Sequence, residues 1–159
     1  MQAPALYVPD TKWWSHKPAT VCLIGSIEHN PTVPWQTQVI NALQQRSIIV
    51  FNARRVSDAA SIQLPDHPEF NAQIAWELTH AIAADIVVLF FDPTSVSPDA
   101  LVQLGLLADD PKMSLIVVCP PGFWRRDYVA AICTRYELPS ANSIAQAVEM
   151  VEAILDSRY

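Results

Sequence analysis

AADIVVLFFDPTSVSP, residues 83–98, is the stretch on which the fold turns. Asp85 opens an unbroken apolar run from Ile86 to Phe91. A run without polar alternation suits a strand covered on both faces of a parallel sheet. It breaks at Asp92-Pro93, and a polar loop follows to Ser97-Pro98. Serine there predicts a helix N-cap and proline a first helical residue, so the spacing predicts a helix to about Ala108.

The same alternation extends in both directions. Upstream, Phe70, Ile74, Leu78, Ala81 and Ile82 repeat with a 3.6 period, predicting a helix over 68–84 that begins at Pro68. Before it come a polar loop, 52–66, and a strand, SIIVF (47–51). A helix is predicted over 35–45, with Trp35, Val39, Ala42 and Leu43 on its inner side, and a strand over Thr20–Ile24. Residues 1–18, with Pro4, Pro9, Pro18 and the Trp13-Trp14 pair, read as an extended N-terminal arm ahead of a single domain, 19–159. Downstream, a strand is predicted over 113–119, a short helix within 122–136, and a long final helix over 140–157. Ile144, Ala147, Val148, Val151, Ile154 and Leu155 form its inner face. Strands alternating with helices predict an α/β fold: a doubly wound parallel sheet of about five strands with helices on both faces.

Bulk composition narrows the function classes. The chain has 159 residues, 51% of them hydrophobic and 16% charged, which fits one compact domain. So few solvating side chains predict that part of the surface is covered by a second copy, a homo-oligomer. The net charge is −6, and the ten Lys and Arg form no stripe, which argues against polymeric nucleic acid as ligand. No apolar stretch reaches the length that spans a bilayer, and the N-terminus lacks a signal peptide's pattern. Cys22, Cys119 and Cys133 are widely spaced, without metal-ligand spacing, and read as buried free thiols of a reducing cytoplasm. Neither a metal nor a cofactor is called for.

Ligands on such sheets bind at the carboxyl ends of the strands, near the switch in strand order. Gly25-Ser26 follows the first strand; glycine there permits close backbone approach, or is simply a tight turn. Three glycines in all, with no GxGxxG, argue against a dinucleotide fingerprint or a P-loop. Arg54 follows the second strand and offers a planar fork to a phosphate or sugar oxygen, or else a surface ion pair. Glu77 lies along the next helix as a candidate base-contacting carboxylate, or an ordinary exposed helical acid. Asp92 and Ser97 flank the loop after the third strand. Asp99 and Gln103, four apart, share a helix face, with Asp99 also explained as a first-turn acid. Trp124 and Tyr128, beside Arg125-Arg126, suit a pocket rim or a subunit contact.

Taken in order, LIGSIE (23–28), NARR (52–55), EFNAQIAWEL (69–78), AADIVVLFFDPTSVSP (83–98), LGL (104–106), CPPGFWRR (119–126) and CTRYELP (133–139) resemble the nucleoside 2-deoxyribosyltransferase-like family, over roughly residues 20–138. The resemblance implies a flavodoxin-like/Rossmann-like sheet, a homo-oligomer, and cleavage of a nucleoside's or nucleotide's N-glycosidic bond, with transfer to another base or to water. It implies a glutamate beneath the oxocarbenium-like carbon, two residues before a glycine, and a base-contacting acid at Glu77. This chain reads Gln103-Leu104-Gly105 at the first of these. Where the family has a Gly-Asn pair after the GFWRR motif, it reads Asp127-Tyr128. An amide is a poor nucleophile and cannot neutralise developing positive charge. Two readings follow. In one, Asp99, Glu77 or Asp92 replaces the glutamate and the chain is an enzyme. In the other it is a non-catalytic sensor, scavenger or assembly subunit that binds a nucleoside, nucleotide or derivative. A receiver-like signalling domain is disfavoured, because Pro-Pro-Gly and no lysine follows Cys119.

Overall fold

The computed structural model describes residues 6–7, 17–28, 31–54 and 68–159. The elements run β1 (Leu6–Tyr7), β2 (Ala19–Gly25), α1 (Trp35–Ala42), β3 (Ile48–Asn52), α2 (Pro68–Ala83), β4 (Ile86–Phe90), α3 (Pro98–Leu107), β5 (Ser114–Val118), α4 (Arg126–Arg135), β6 (Ser140–Ala141) and α5 (Ile144–Arg158). The sheet order is β1-β3-β2-β4-β5-β6. β2 to β6 are mutually parallel, and the two-residue β1 adds an antiparallel edge on β3 through Leu6–Phe51 and Tyr7–Val50. This is the flavodoxin-like, doubly wound α/β arrangement that the alternation predicts. The Trp13-Trp14 pair of the arm lies outside the described residues.

Alternate side chains of the central strands feed two separate cores. Val21, Leu23, Ile86, Val88 and Ile116 face α1 and α5. Cys22, Ile24, Val87, Leu89 and Val117 face α2, α3 and α4. Burial on both faces is why these strands carry no polar alternation: Val21, Leu23, Val87, Val88 and Ile116 are all fully inaccessible. Each such aliphatic side chain contributes roughly 1.5–3 kcal/mol by leaving water.

Several helix readings need correction. Ala42 is exposed, and Gln36 is buried on α1 instead. Ile74 and Ile82 of α2 are 41% and 65% exposed, so the apolar stripe of that helix is wider than the face the sheet covers. The final helix begins at Ile144, not Ser140. Residues 140–141 are drawn out as a strand because Val117 and Cys119 of the β5 edge donate to Pro139 O and Ala141 O. Ser143 is then the N-cap: its hydroxyl accepts from Gln146 N at 3.2 Å, while the Gln146 side chain accepts from Asn142 N at 2.8 Å.

At the amino edge, the Asp85 carboxylate accepts from Thr20 N at 2.8 Å and Thr20 Oγ1 at 2.7 Å, joining the starts of β2 and β4. Burial opposes the Asp85 charge. The Thr20 bonds and the Lys17 charge outweigh it and hold the carboxyl below its ordinary range.

Candidate functional site

β2 has β3 on one side and β4 on the other, so the strand order reverses beside β2, and sheets of this kind bind ligands at the carboxyl end of that point. Gly25 ends the strand with φ +115°, and a Cβ there would lie 2.3 Å from Phe90 O and 2.8 Å from Phe90 N. Glycine is therefore demanded by the neighbouring strand, whatever binds nearby.

The adjoining serines knit the edge together. Ser26 N donates to Phe90 O at 2.8 Å, its carbonyl accepts from Trp35 Nε1 at 2.9 Å, and its hydroxyl accepts from Asp92 N at 2.9 Å. The Ser26 and Ser97 hydroxyls also share a short hydrogen bond. Ser97 occupies the N-cap position of α3, but its side chain does not cap. Its backbone is left-handed, with φ 45° and ψ 55°, and its hydroxyl bonds Ser26 and Ser95. Tertiary pairing has thus overridden the local capping preference. The Asp92 carboxylate turns back on its own loop, accepting from Thr94 N at 2.9 Å and from the Thr94 hydroxyl through both oxygens.

Glu28 closes this edge, a role its sequence context did not single out. Its carboxylate accepts from Trp35 N at 3.0 Å, across seven residues, and so caps α1, whose own Pro34 supplies no side-chain acceptor. Only an acid several residues before a proline-led helix hinted at it.

The deeper part of the site lies between α2 and α3, which both pack over β2. Here Gln103 and Glu77 meet: Gln103 Nε2 donates to Glu77 Oε2 at 3.0 Å, and Gln73 Nε2 donates to Glu77 Oε1 at 2.9 Å. Gln103 is only 7% exposed, and its Oε1 is buried with no hydrogen-bond partner among the described residues. Its orientation is chemically determined, because only the amide nitrogen can face a carboxylate. Cys22 of β2 lies within reach of this charge. Burial first, and the Glu77 carboxylate second, push its thiol up to about 12. At the end of β3, Arg54 is half-buried, and its Nη1 also lacks a partner among the described residues.

The remaining predicted site residues stand apart from this pair. Asp99 is exposed in the first turn of α3 while Gln103 is buried, so their four-residue spacing does not give them a common environment. Among the described residues Asp99 makes no hydrogen bond or ion pair. Trp124 is 57% exposed, and its Nε1 donates to Val96 O at 2.9 Å, tying the loop after β5 to the loop before α3. Arg125 lies 5.6 Å over Trp124 and 5.3 Å over the exposed Tyr128, a rim of stacked cation and rings. Trp76 is engaged internally, stacked on His80 with centroids 4.0 Å apart.

A cavity of about 140 Å³ opens at the opposite, amino edge, walled by Asp85, Asp110, Lys112, Arg158 and Tyr159. Its Asp85 serves Thr20, and its Arg158 donates to Ser114 Oγ at 2.8 Å. Asp85 and Arg158 of the amino-edge cavity are thus tied to the starts of β2 and β5, while the buried atoms without partners among the described residues, Gln36 Oε1, Arg54 Nη1 and Gln103 Oε1, lie away from it. The described residues include no cluster of three or more His, Cys, Asp or Glu arranged for a metal ion. No helix among them is long and apolar enough to cross a membrane.

A doubly wound parallel sheet in the order β3-β2-β4-β5-β6, with a buried amide–carboxylate pair between α2 and α3, defines a flavodoxin-like α/β protein. Residues 18–123 match the family model described as nucleoside 2-deoxyribosyltransferase like, and the chain belongs to that family. No curated protein matches the sequence.

Proposed function

We propose that the chain binds a nucleoside or nucleotide at the carboxyl edge of its sheet without cleaving the N-glycosidic bond at an enzyme's rate. It then acts as a sensor, a scavenger or a subunit of an assembly. The hydrogen bond from Gln103 to Glu77 carries this reading. At the position where the family resemblance implies a nucleophilic glutamate, the chain holds an amide whose nitrogen is committed to a neighbouring carboxylate. Loss of a nucleophile of this kind costs several orders of magnitude in rate. Glu77 itself accepts from two amide nitrogens, Gln73 Nε2 and Gln103 Nε2. The enzymatic alternative asks Asp99, Glu77 or Asp92 to stand in. Asp99 lies on an exposed turn, Asp92 is occupied by Thr94, and Glu77, the one of the three beside position 103, accepts from Gln73 and Gln103.

The reading includes a homo-oligomer, supported by the apolar outer faces of α2 and α3, and a reducing cytoplasm, supported by three buried free thiols. It includes no nucleic-acid polymer, since the chain has no basic stripe.

The test is incubation of the purified chain and of Gln103→Glu with deoxynucleosides, nucleosides and their 5′-phosphates, reading free base by chromatography and thermal stability in parallel. Ligands are expected to raise the Tm of the unchanged chain without base release, and the variant is expected to release base. Base release by the unchanged chain at a rate comparable to the variant sinks the non-catalytic reading.

A further inference from the structure

Among the described residues three buried side-chain atoms lack a hydrogen-bond partner: Gln36 Oε1, Arg54 Nη1 and Gln103 Oε1. Gln36 lies in the first turn of α1, next to Trp35, on the opposite face of the sheet from α2 and α3. Gln103 lies between α2 and α3 and Arg54 just after β3; the first offers an acceptor and the second a donor. A buried carbonyl oxygen without a donor is destabilising, so folded proteins rarely keep one unless something else completes it. The Glu77 carboxylate holds the Gln103 amide in place, so Oε1 cannot exchange with the nitrogen to find a partner within the fold.

What completes Oε1 must bring an N–H or O–H. This step rests on the nucleoside reading above, in which position 103 lies beneath the anomeric carbon. In a ribonucleoside the carbon next to the anomeric one carries a hydroxyl on that same lower face of the ring. A 2′-deoxy sugar has only hydrogen there. We propose that the ligand is a ribonucleoside or ribonucleotide whose 2′-hydroxyl donates to Gln103 Oε1, and that Gln103 selects ribose over 2-deoxyribose. The exchange of glutamate for glutamine thereby changes the sugar the pocket prefers as well as removing a nucleophile. Arg54 Nη1 supplies a complementary donor, to a sugar oxygen or to a phosphate.

Discrimination of this kind is strong where a site's buried polar atom is left unpaired by the wrong ligand. The experiment is calorimetric titration of the unchanged full chain with matched pairs: adenosine and 2′-deoxyadenosine, guanosine and 2′-deoxyguanosine, cytidine and 2′-deoxycytidine, and their 5′-monophosphates. The ribo member of at least one pair is expected to bind at least about tenfold more tightly. Gln103→Met, similar in length but without the acceptor, is expected to bring that ratio close to one. Equal or tighter binding of the deoxy compounds by the unchanged chain overturns the inference and leaves nucleoside binding standing. A preference that survives in Gln103→Met also overturns it. Binding of neither series at millimolar concentration defeats the nucleoside reading itself, and the inference with it.

Discussion

Gln103 and Glu77 are 26 residues apart in sequence and 3.0 Å apart in space, and that separation governs what a restored glutamate would do. Two carboxylates at such a distance cannot both ionise freely; they share a proton and titrate as a pair. In Gln103→Glu the singly protonated pair is the useful form, with one oxygen free to attack and the other acid able to donate. Base release by the variant is therefore expected to follow a bell-shaped pH profile. It falls at low pH, when both groups are protonated, and at high pH, when the shared proton leaves. A flat profile between pH 4 and 9 would mean that Glu77 does not couple to position 103. Position 103 was legible from the Gln-Leu-Gly pattern, and Glu77 from its helix. Their contact was not, because no periodicity links two helices separated by a strand and a loop.

At the scale of elements, strand identities followed from apolar runs, and helix ends depended on partners. The final helix shows why. Residues 140–157 carry a continuous amphipathic pattern, yet Ser140–Ala141 pair with Val117–Val118 and the helix waits until Ser143 can cap it. Ser143→Ala is expected to lower stability by about 1 kcal/mol, read as a shift of the urea midpoint at constant m-value. No change would mean that the Gln146–Asn142 bond alone closes that end. Ser97 is the converse case. It has the right residue type beside a proline, but its hydroxyl is diverted to Ser26 and Ser95, so residue type alone misjudged its role.

For the whole molecule, the outer faces of α2 and α3 leave Ile82, Val102 and Leu106 61–65% exposed. Gly105 lies between the last two, where an added Cβ would meet nothing within 4 Å, so the helix backbone is open to close approach. A chain with so few charges and such a face is expected to self-associate through it. Ile82→Lys with Leu106→Lys is expected to reduce the sedimentation mass of the native species while leaving its circular dichroism unchanged. An unchanged mass in the double variant would place the contact elsewhere or leave the chain a monomer.

The sequence by itself determined the layered α/β fold, since two-sided burial demands unbroken apolar strands such as Ile86–Phe91, and those runs are visible without coordinates. It determined which edge carries the βα loops, because parallel connectivity puts all of them at the carboxyl ends of the strands. It also exposed the substitution at Gln103. Only the tertiary structure decided that Gly25 answers to Phe90, that Asp92 is taken up by its own loop, and that Gln103 is clasped by Glu77 with one oxygen left over. The physical reason is the same in each case: hydrogen bonds and close contacts form between atoms brought together by packing, and residue type declares what an atom can bond but not what it will meet.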